Sequence, residues 1–296
     1  MRVRSKWILA FVLACIAAPC RAQDRVTILY DAFGESKELT KDWGFSALVE
    51  HGGKRILFDT GNNAAIFEHN VKVLGVDLTK LDFVVISHRH ADHATGLRYV
   101  LKVNPDVTVY VPADGSNGFA GAPIPQAFLR RDENLPAKMQ YFAGKEPDHF
   151  TFGKLYDTGH FVLVSDATTE VSPGVFLVRT VSQKKGTLEL PELTLAIKRP
   201  NGLLIVDGCS HAGIEAVLDA AHALDPRTEI VVGGLHLVTT PVEEIDALVE
   251  NLQTKYKVQR IAPGHCTGEP AFARLRRAYG DNYLYAGLGT SVEVAW

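Results

Sequence analysis

The run Ser87-His88-Arg89-His90-Ala91-Asp92-His93 places three imidazoles and a carboxylate within six positions, directly after the apolar stretch Leu81 to Ile86. That juxtaposition narrows the folds open to this chain more than any other feature. Leu81 to Ile86 reads as a short buried strand, and residues two apart at a strand end point to the same side, so His88 and His90 can reach one ion together. The chain must then turn, because Leu97, Val100 and Leu101 carry helical spacing over residues 95–103. Asp92 and His93 fall at the entry to that helix, aimed back at the strand end. So short a segment cannot wrap four donors around one tetrahedral ion, whereas two adjacent ions would use them in pairs. A structural zinc site would favour cysteines, and this run holds only histidine and aspartate.

The alternation of elements on either side argues for an α/β protein with helices packed over sheets. Strands are expected at 25–30, 45–50, 55–58 and 107–111, then at 193–197, 203–206, 229–232 and 258–261. Helices are expected at 64–74, 213–224 and 242–255. The segment Gly53 to Gly61 is echoed by Asn201 to Cys209, each being followed by a helix and another apolar strand. Two such halves would meet at a seam of strand ends, where α/β proteins place ligands. Residues 112–186 lose this periodicity and read as a loop-rich insertion, with Arg130, Arg131, Lys184 or Lys185 available to grip an anionic substrate.

Residues 1–22 have the form of a secretory signal. Arg2, Arg4 and Lys6 precede the apolar run Trp7 to Ala18, which is shorter than the roughly 20 residues needed to span a bilayer. Residues 23–296 then form the mature domain, exported to the periplasm or beyond and without stable membrane insertion. Loss of four basic residues and no acidic one takes the formal charge from −3 to −7. An acidic surface does not suit general nucleic-acid binding, so the expected partner is a small molecule. Only Cys209 and Cys266 remain after cleavage. A disulfide and a metal-holding pair are both open to them, because each lies within two residues of a histidine.

Three later segments set histidine beside glycine at a strand end: Gly208-Cys209-Ser210-His211, Gly233-Gly234-Leu235-His236 and Pro263-Gly264-His265-Cys266. His211 and His265 are the expected further ligands. His236, between two leucines, reads as a histidine behind the ligands or against the substrate.

Together with Asp59 in Phe58-Asp59-Thr60-Gly61, these motifs resemble the metallo-β-lactamase superfamily. Within it, the segments around Cys209, His236 and Cys266 are similar to the branch of the archaeal dihydropterin ribofuranosyl-aminobenzene phosphate synthases. The resemblance implies a four-layer αββα sandwich and two divalent metal ions, zinc first, with iron or manganese as alternatives. It gives His88 and His90 to one ion and Asp92, His93 and His265 to the other, with Asp59 buttressing the loop through hydrogen bonds. Asp92 is the expected catalytic group, binding a metal and orienting the attacking hydroxide. The chain departs from the family pattern at 183–185, where a histidine is usual and none stands, and at Cys209, which occupies the position of the bridging aspartate. His211 is the candidate replacement for the missing histidine, and Cys209, Asp207 or a lone hydroxide remain open as the bridge. The implied activity is hydrolysis of a phosphoester or another small anionic substrate. The alternatives are a lactam or lactone hydrolase of the same fold and a non-catalytic metal-binding or redox-sensing protein.

Overall fold

The computed structural model describes residues 24–113, 136, 140 and 158–294. The proposed signal segment and Arg130 and Arg131 lie outside them. Two sheets face each other. The first runs in the order β13-β1-β2-β3-β4-β5-β6 and the second in the order β12-β11-β10-β9-β8-β7. The first sheet comprises β1 (Asp24–Tyr30), β2 (Ser46–His51), β3 (Lys54–Phe58), β4 (Phe83–Val85), β5 (Thr108–Pro112), β6 (His160–Val164) and β13 (Ser291–Val294). The second comprises β7 (Thr168–Ser172), β8 (Val175–Val181), β9 (Pro191–Arg199), β10 (Gly202–Asp207), β11 (Thr228–Gly234) and β12 (Arg260–Gly264).

Strand alternation sorts the apolar residues into three cores. Ile56, Phe58, Phe83 and Val85 of the first sheet pack against Leu193, Leu195, Leu204 and Val206 of the second. On the outer face of the first sheet, Leu57 and Val84 meet α1 (Ala64–Val73) and α3 (Leu97–Val103). On the outer face of the second, Leu203, Ile205 and Val231 meet α4 (Ile214–Ala221), α5 (Val242–Thr254) and α6 (Glu269–Tyr279). A period-two strand with both faces apolar must be covered on both sides, so helix, sheet, sheet and helix stack as four layers. No helix among the described residues is long and apolar enough to cross a membrane.

The sequence echo has a topological counterpart. In the first half β2 and β3 form a hairpin, then β4 and β5 add in parallel. In the second, β9 and β10 form a hairpin, then β11 and β12 add in parallel. Each half therefore delivers its loops from the carboxyl ends of parallel strands.

The stretch 112–186, expected to be loop-rich, differs in its described part, which holds β6, β7 and β8. Its polar composition has a physical reason: β6 has three exposed positions in five, and every residue of β7 is at least partly exposed. Neither strand needs the apolar alternation that marks the others. His160 pairs with Thr108 at the start of β5, at the opposite end of the strands from the motif loop.

Candidate metal centre

The loop after β4 carries Ser87 to His90, with His90 capping the short helix α2 (Ala91–Ala94) that holds Asp92 and His93. A hydrogen bond from Leu193 N to Ser87 O (2.8 Å) ties this loop to β9 of the other sheet. Across the seam, β10 ends at Asp207 and delivers Cys209 and His211, β11 leads to His236, and β12 runs into the tight turn His265–Thr267. The sequence candidates thus converge. Ring centroids lie 4.6 Å apart for His88 and His90, 4.7 Å for His88 and His211, 4.9 Å for His90 and His211, and 4.9 Å for His93 and His265.

Donor atoms fall into two sets that share one sulfur. Atoms of His88, Cys209 and His211 lie within 4.8 Å of one another, as do those of His93, Cys209 and His265. His90 adjoins the first set, and Asp92 Oδ2 adjoins the second, 3.7 Å from His93 Nε2 and 3.5 Å from His265 Nε2. His211 thus stands beside His88 and His90, where the candidate replacement for the histidine missing at 183–185 is expected. Cys209 is common to both sets, whereas Asp207 belongs to neither. The Asp207 carboxylate accepts from Thr194 Oγ1 and Ser210 Oγ.

Asp59 lies under the loop and fixes two of the imidazoles. Its carboxylate accepts Ser87 N and Ser87 Oγ, both at 2.7 Å, and pairs with His93 Nδ1 at 2.7 Å. Ser87 Oγ, having donated to Asp59, can only accept from His88 Nδ1 at 2.9 Å. Both rings are thereby protonated at Nδ1 and turn Nε2 inward, His88 toward His211 Nε2 (3.2 Å) and His93 toward Cys209 Sγ (3.2 Å). Nitrogens placed tetrahedrally at the usual zinc distance are about 3.4 Å apart, close to these separations.

Two further carboxylates, with no motif to announce them, hold the second half. Glu192 of β9 accepts the backbone amides of Cys209 (2.8 Å), Ser210 (3.1 Å) and His211 (2.6 Å), gripping the whole Cys-Ser-His turn. Asp31, just beyond β1, accepts His265 N at 2.9 Å. The one sequence signal for Glu192 is an acid inside the apolar run Pro191 to Ile197. Burial, reinforced by Asp207, pushes the Glu192 carboxyl well above its ordinary range, and burial takes Asp31 up to about 8 and Asp207 to about 7.

Four of the imidazoles are kept in the neutral form that metal binding requires. Burial, with the neighbouring imidazoles, depresses His88 and His265 well below the ordinary histidine range and brings His90 to about 4 and His211 to about 2. Neutral imidazoles offer lone pairs. Burial also opposes charge on His93, but Asp59 outweighs it and raises that group to about 9. Cys209 is pushed well up by burial and by Cys266, while hydrogen bonds from Cys209 and His236 bring Cys266 to about 6 against its own burial. The two cysteines are free, with sulfurs 3.3 Å apart.

Three further features set the cluster apart from ordinary close packing. His265 Nδ1 and Nε2 and His211 Nδ1 are buried with no hydrogen-bond partner among the described residues. Asp59, Ser210, His236 and His265 all adopt left-handed backbone (φ 48 to 58°), a conformation that costs side-chain-bearing residues roughly 1–2 kcal/mol and is concentrated at functional sites. Gly208 lets the seam close: a Cβ there would lie 2.4 Å from Ser87 Oγ and 2.8 Å from Asp59 Oδ2. Gly208→Ala is therefore expected to cost about 2 kcal/mol of stability and to weaken metal binding on the order of 10-fold. Thermal melts and metal titration of the variant check both.

The centre opens on the side of His90 and Asp92, both half-buried, and of Trp43, which is 45% exposed with its ring 5.1 Å from that of His265. Lys184 is exposed at the edge of the His211 turn, its Nζ 3.1 Å from where a Gly213 Cβ would stand.

Comparison with known proteins agrees with this architecture. The family model described as the metallo-beta-lactamase superfamily matches residues 41–174. The chain is 28% identical to the 7,8-dihydropterin-6-methyl-4-(beta-D-ribofuranosyl)-aminobenzene-5'-phosphate synthase of Methanocaldococcus jannaschii, over 88% of this chain and 94% of that protein. It superposes on the crystal structure of a metal-dependent hydrolase of the beta-lactamase superfamily with a TM-score of 0.70 and 25% identity, covering 92% of this chain and all of the other. A diphosphatase from the PhnP family shares the fold, with a TM-score of 0.52 and 16% identity over 92% of this chain and 98% of that one. By fold, by motif and by these likenesses, the chain resembles the metallo-β-lactamase superfamily, whose family model matches residues 41–174.

Proposed function

We propose that this protein is a binuclear metal-dependent hydrolase acting on a phosphoester or another small anionic substrate. The observation that carries the reading is the convergence of seven donor residues, from both halves of the fold, on two positions that share Cys209. His88, His90 and His211 would hold one ion, and Asp92, His93 and His265 the other. Zinc suits this set best, and iron or manganese accepts the same nitrogens and oxygens. Ions held there would supply a water acidified to near neutrality and would polarise the bond under attack.

The chain's own residues do the rest. Asp59 holds His88 and His93 in the productive tautomer. Asp92, at the opening and within 4 Å of both His93 and His265, is placed to orient the attacking water and hold its proton. Lys184, exposed with its Nζ beside Gly213 at the edge of the His211 turn, offers a positive charge suited to an anionic substrate. The Methanocaldococcus relative is named for a 5'-phosphate compound, which favours a phosphorylated substrate over a lactam. The chain would work outside the cytoplasm, on the reading of residues 1–22 as a signal.

Turnover of bis-p-nitrophenyl phosphate, abolished by chelation and restored by a divalent ion, is the expected result. Nitrocefin hydrolysed faster than the phosphodiester would reverse the substrate assignment. Folded protein that takes up no ion would overturn the reading altogether.

Metal uptake should release protons. In the metal-free protein His93 keeps its proton below about 9 and the Cys209 thiol stays protonated, whereas His88, His90, His211 and His265 are already neutral. Loading at pH 7.5 should therefore expel about two protons per chain, and affinity should rise with pH through the His93 range near 9 and beyond it, where the Cys209 thiol still holds its proton. Calorimetry in buffers of differing ionisation enthalpy counts them; a count of zero would contradict the assignment of His93 and Cys209 as ligands.

A further inference from the structure

Beyond the two positions just described, the seam holds a third group of donors with different chemistry. Ligand atoms of Cys209, His236 and Cys266 also lie within 4.8 Å of one another. The three residues follow β10, β11 and β12, adjacent parallel strands, so one loop from each strand supplies one donor. We propose that Cys209, His236 and Cys266 form a thiolate-rich position for a soft, thiophilic cation, distinct from the nitrogen- and oxygen-rich pair and competing with it for the Cys209 sulfur.

Several observations converge on this corner. His236 is held in left-handed backbone at φ 48°, which turns its ring toward the seam, and its ring centroid lies 4.3 Å from that of His211. Its Nδ1 is buried without a hydrogen-bond partner among the described residues. Room for the Cys266 sulfur is kept by Gly234, where a Cβ would stand 2.9 Å from Sγ and 2.2 Å from Gly208 O. Leu237 N and Val238 N both donate to Cys266 O, at 3.0 and 3.2 Å, so the loops bearing His236 and Cys266 are fastened to each other. Both thiols are buried, at 3% and 2% exposure, and neither is consumed in a disulfide.

Two sulfurs and an imidazole with no carboxylate form a soft donor set, which selects cadmium, monovalent copper or zinc over manganese or magnesium. Cys209 is common to this group and to the pair. An ion drawn to Cys266 and His236 therefore pulls on the sulfur that lies between the other two positions. The consequence is inhibition by thiophilic ions that does not require displacing any histidine of the pair. The inference needs only that Cys209 be accessible to metal; it stands whether or not the pair is hydrolytic.

Cadmium is the probe. Metal-free full-length protein titrated with cadmium should show thiolate-to-metal absorption in the near ultraviolet and, by cadmium NMR, a resonance in the two-sulfur range beside resonances from nitrogen- and oxygen-rich positions. Cys266→Ser should bind one ion fewer, lose the two-sulfur resonance and keep about half of the thiolate absorption. His236→Ala should weaken only that resonance, by about 10-fold in affinity. Wild-type protein whose cadmium resonances never reach the two-sulfur range would overturn the proposal without reference to any variant. Cys266→Ser with unchanged stoichiometry and absorption would do the same. In either case phosphodiesterase activity that persists leaves the hydrolase reading intact, so the two failures are distinguishable.

Discussion

His88→Ala should lower kcat/KM on bis-p-nitrophenyl phosphate by a factor on the order of 10³ and remove at least one equivalent of bound metal. An ion that polarises a phosphoryl oxygen contributes several kcal/mol to the transition state, and each 1.36 kcal/mol is tenfold in rate. His88 is fully buried, and its Nε2 is held at the seam by the relay from Nδ1 through Ser87 Oγ to Asp59. Alanine deletes the donor and leaves Ser87 Oγ without the hydrogen it accepts. Metal analysis and steady-state kinetics on the same preparation separate the two consequences. A variant that keeps both ions and loses less than tenfold in rate would show that His88 is not a ligand. Replacing His69, which bonds the Glu38 carbonyl through Nε2 away from the centre, should change neither quantity.

Glu192→Ala should have the largest effect on stability. Three amides, those of Cys209, Ser210 and His211, lose their acceptor at once in a buried turn. An unsatisfied buried group costs about 1–3 kcal/mol. With some of that recovered by entering water, the net loss should be about 3–5 kcal/mol, a fall in Tm on the order of 10 °C. Metal affinity should fall with it, because the turn that aims Cys209 and His211 is no longer anchored. Glu192→Gln retains one acceptor oxygen and should lose less than half as much. Thermal melts of the metal-free forms measure the first effect, and competition with a chelator measures the second. Equal losses for Ala and Gln would mean that the side chain acts through its charge instead of as an acceptor for the turn.

Legibility in the sequence followed burial. Strands β1 to β5 and β9 to β12 announce themselves because both faces are apolar and the runs are bounded by turn residues. Strands β6 and β7 do not, since both lie at sheet edges and bury almost none of their residues, which leaves no apolar pattern to read. Helix α6 is hidden by its composition. Only Ala271, Leu275 and Tyr279 are buried along it, at intervals of four, and arginine and glutamate fill much of the remainder. At the centre, donors in dense histidine motifs were readable because few other roles explain such spacing. Glu192 and Asp31 were not, because their function depends on which backbone amides the fold brings to them from 17 and 234 residues away. Cys266 could be read as a metal-holding or disulfide-forming partner of Cys209, but not as a neighbour of His236, since that proximity exists only after three loops meet.

The hydrogen bond from Leu193 to Ser87 joins the two sheets at the level of the donors. Neither half of the chain carries a complete set: His88, His90, Asp92 and His93 belong to one, and Cys209, His211 and His265 to the other. An ion bound across the seam would therefore act as a removable rivet through the sandwich, fastening loops more than a hundred residues apart. Stripping metal should leave both sheets formed while the edge that bears the donors gapes, so amide exchange should quicken at residues 87–93, 208–212 and 264–267 long before it does in the strands beneath.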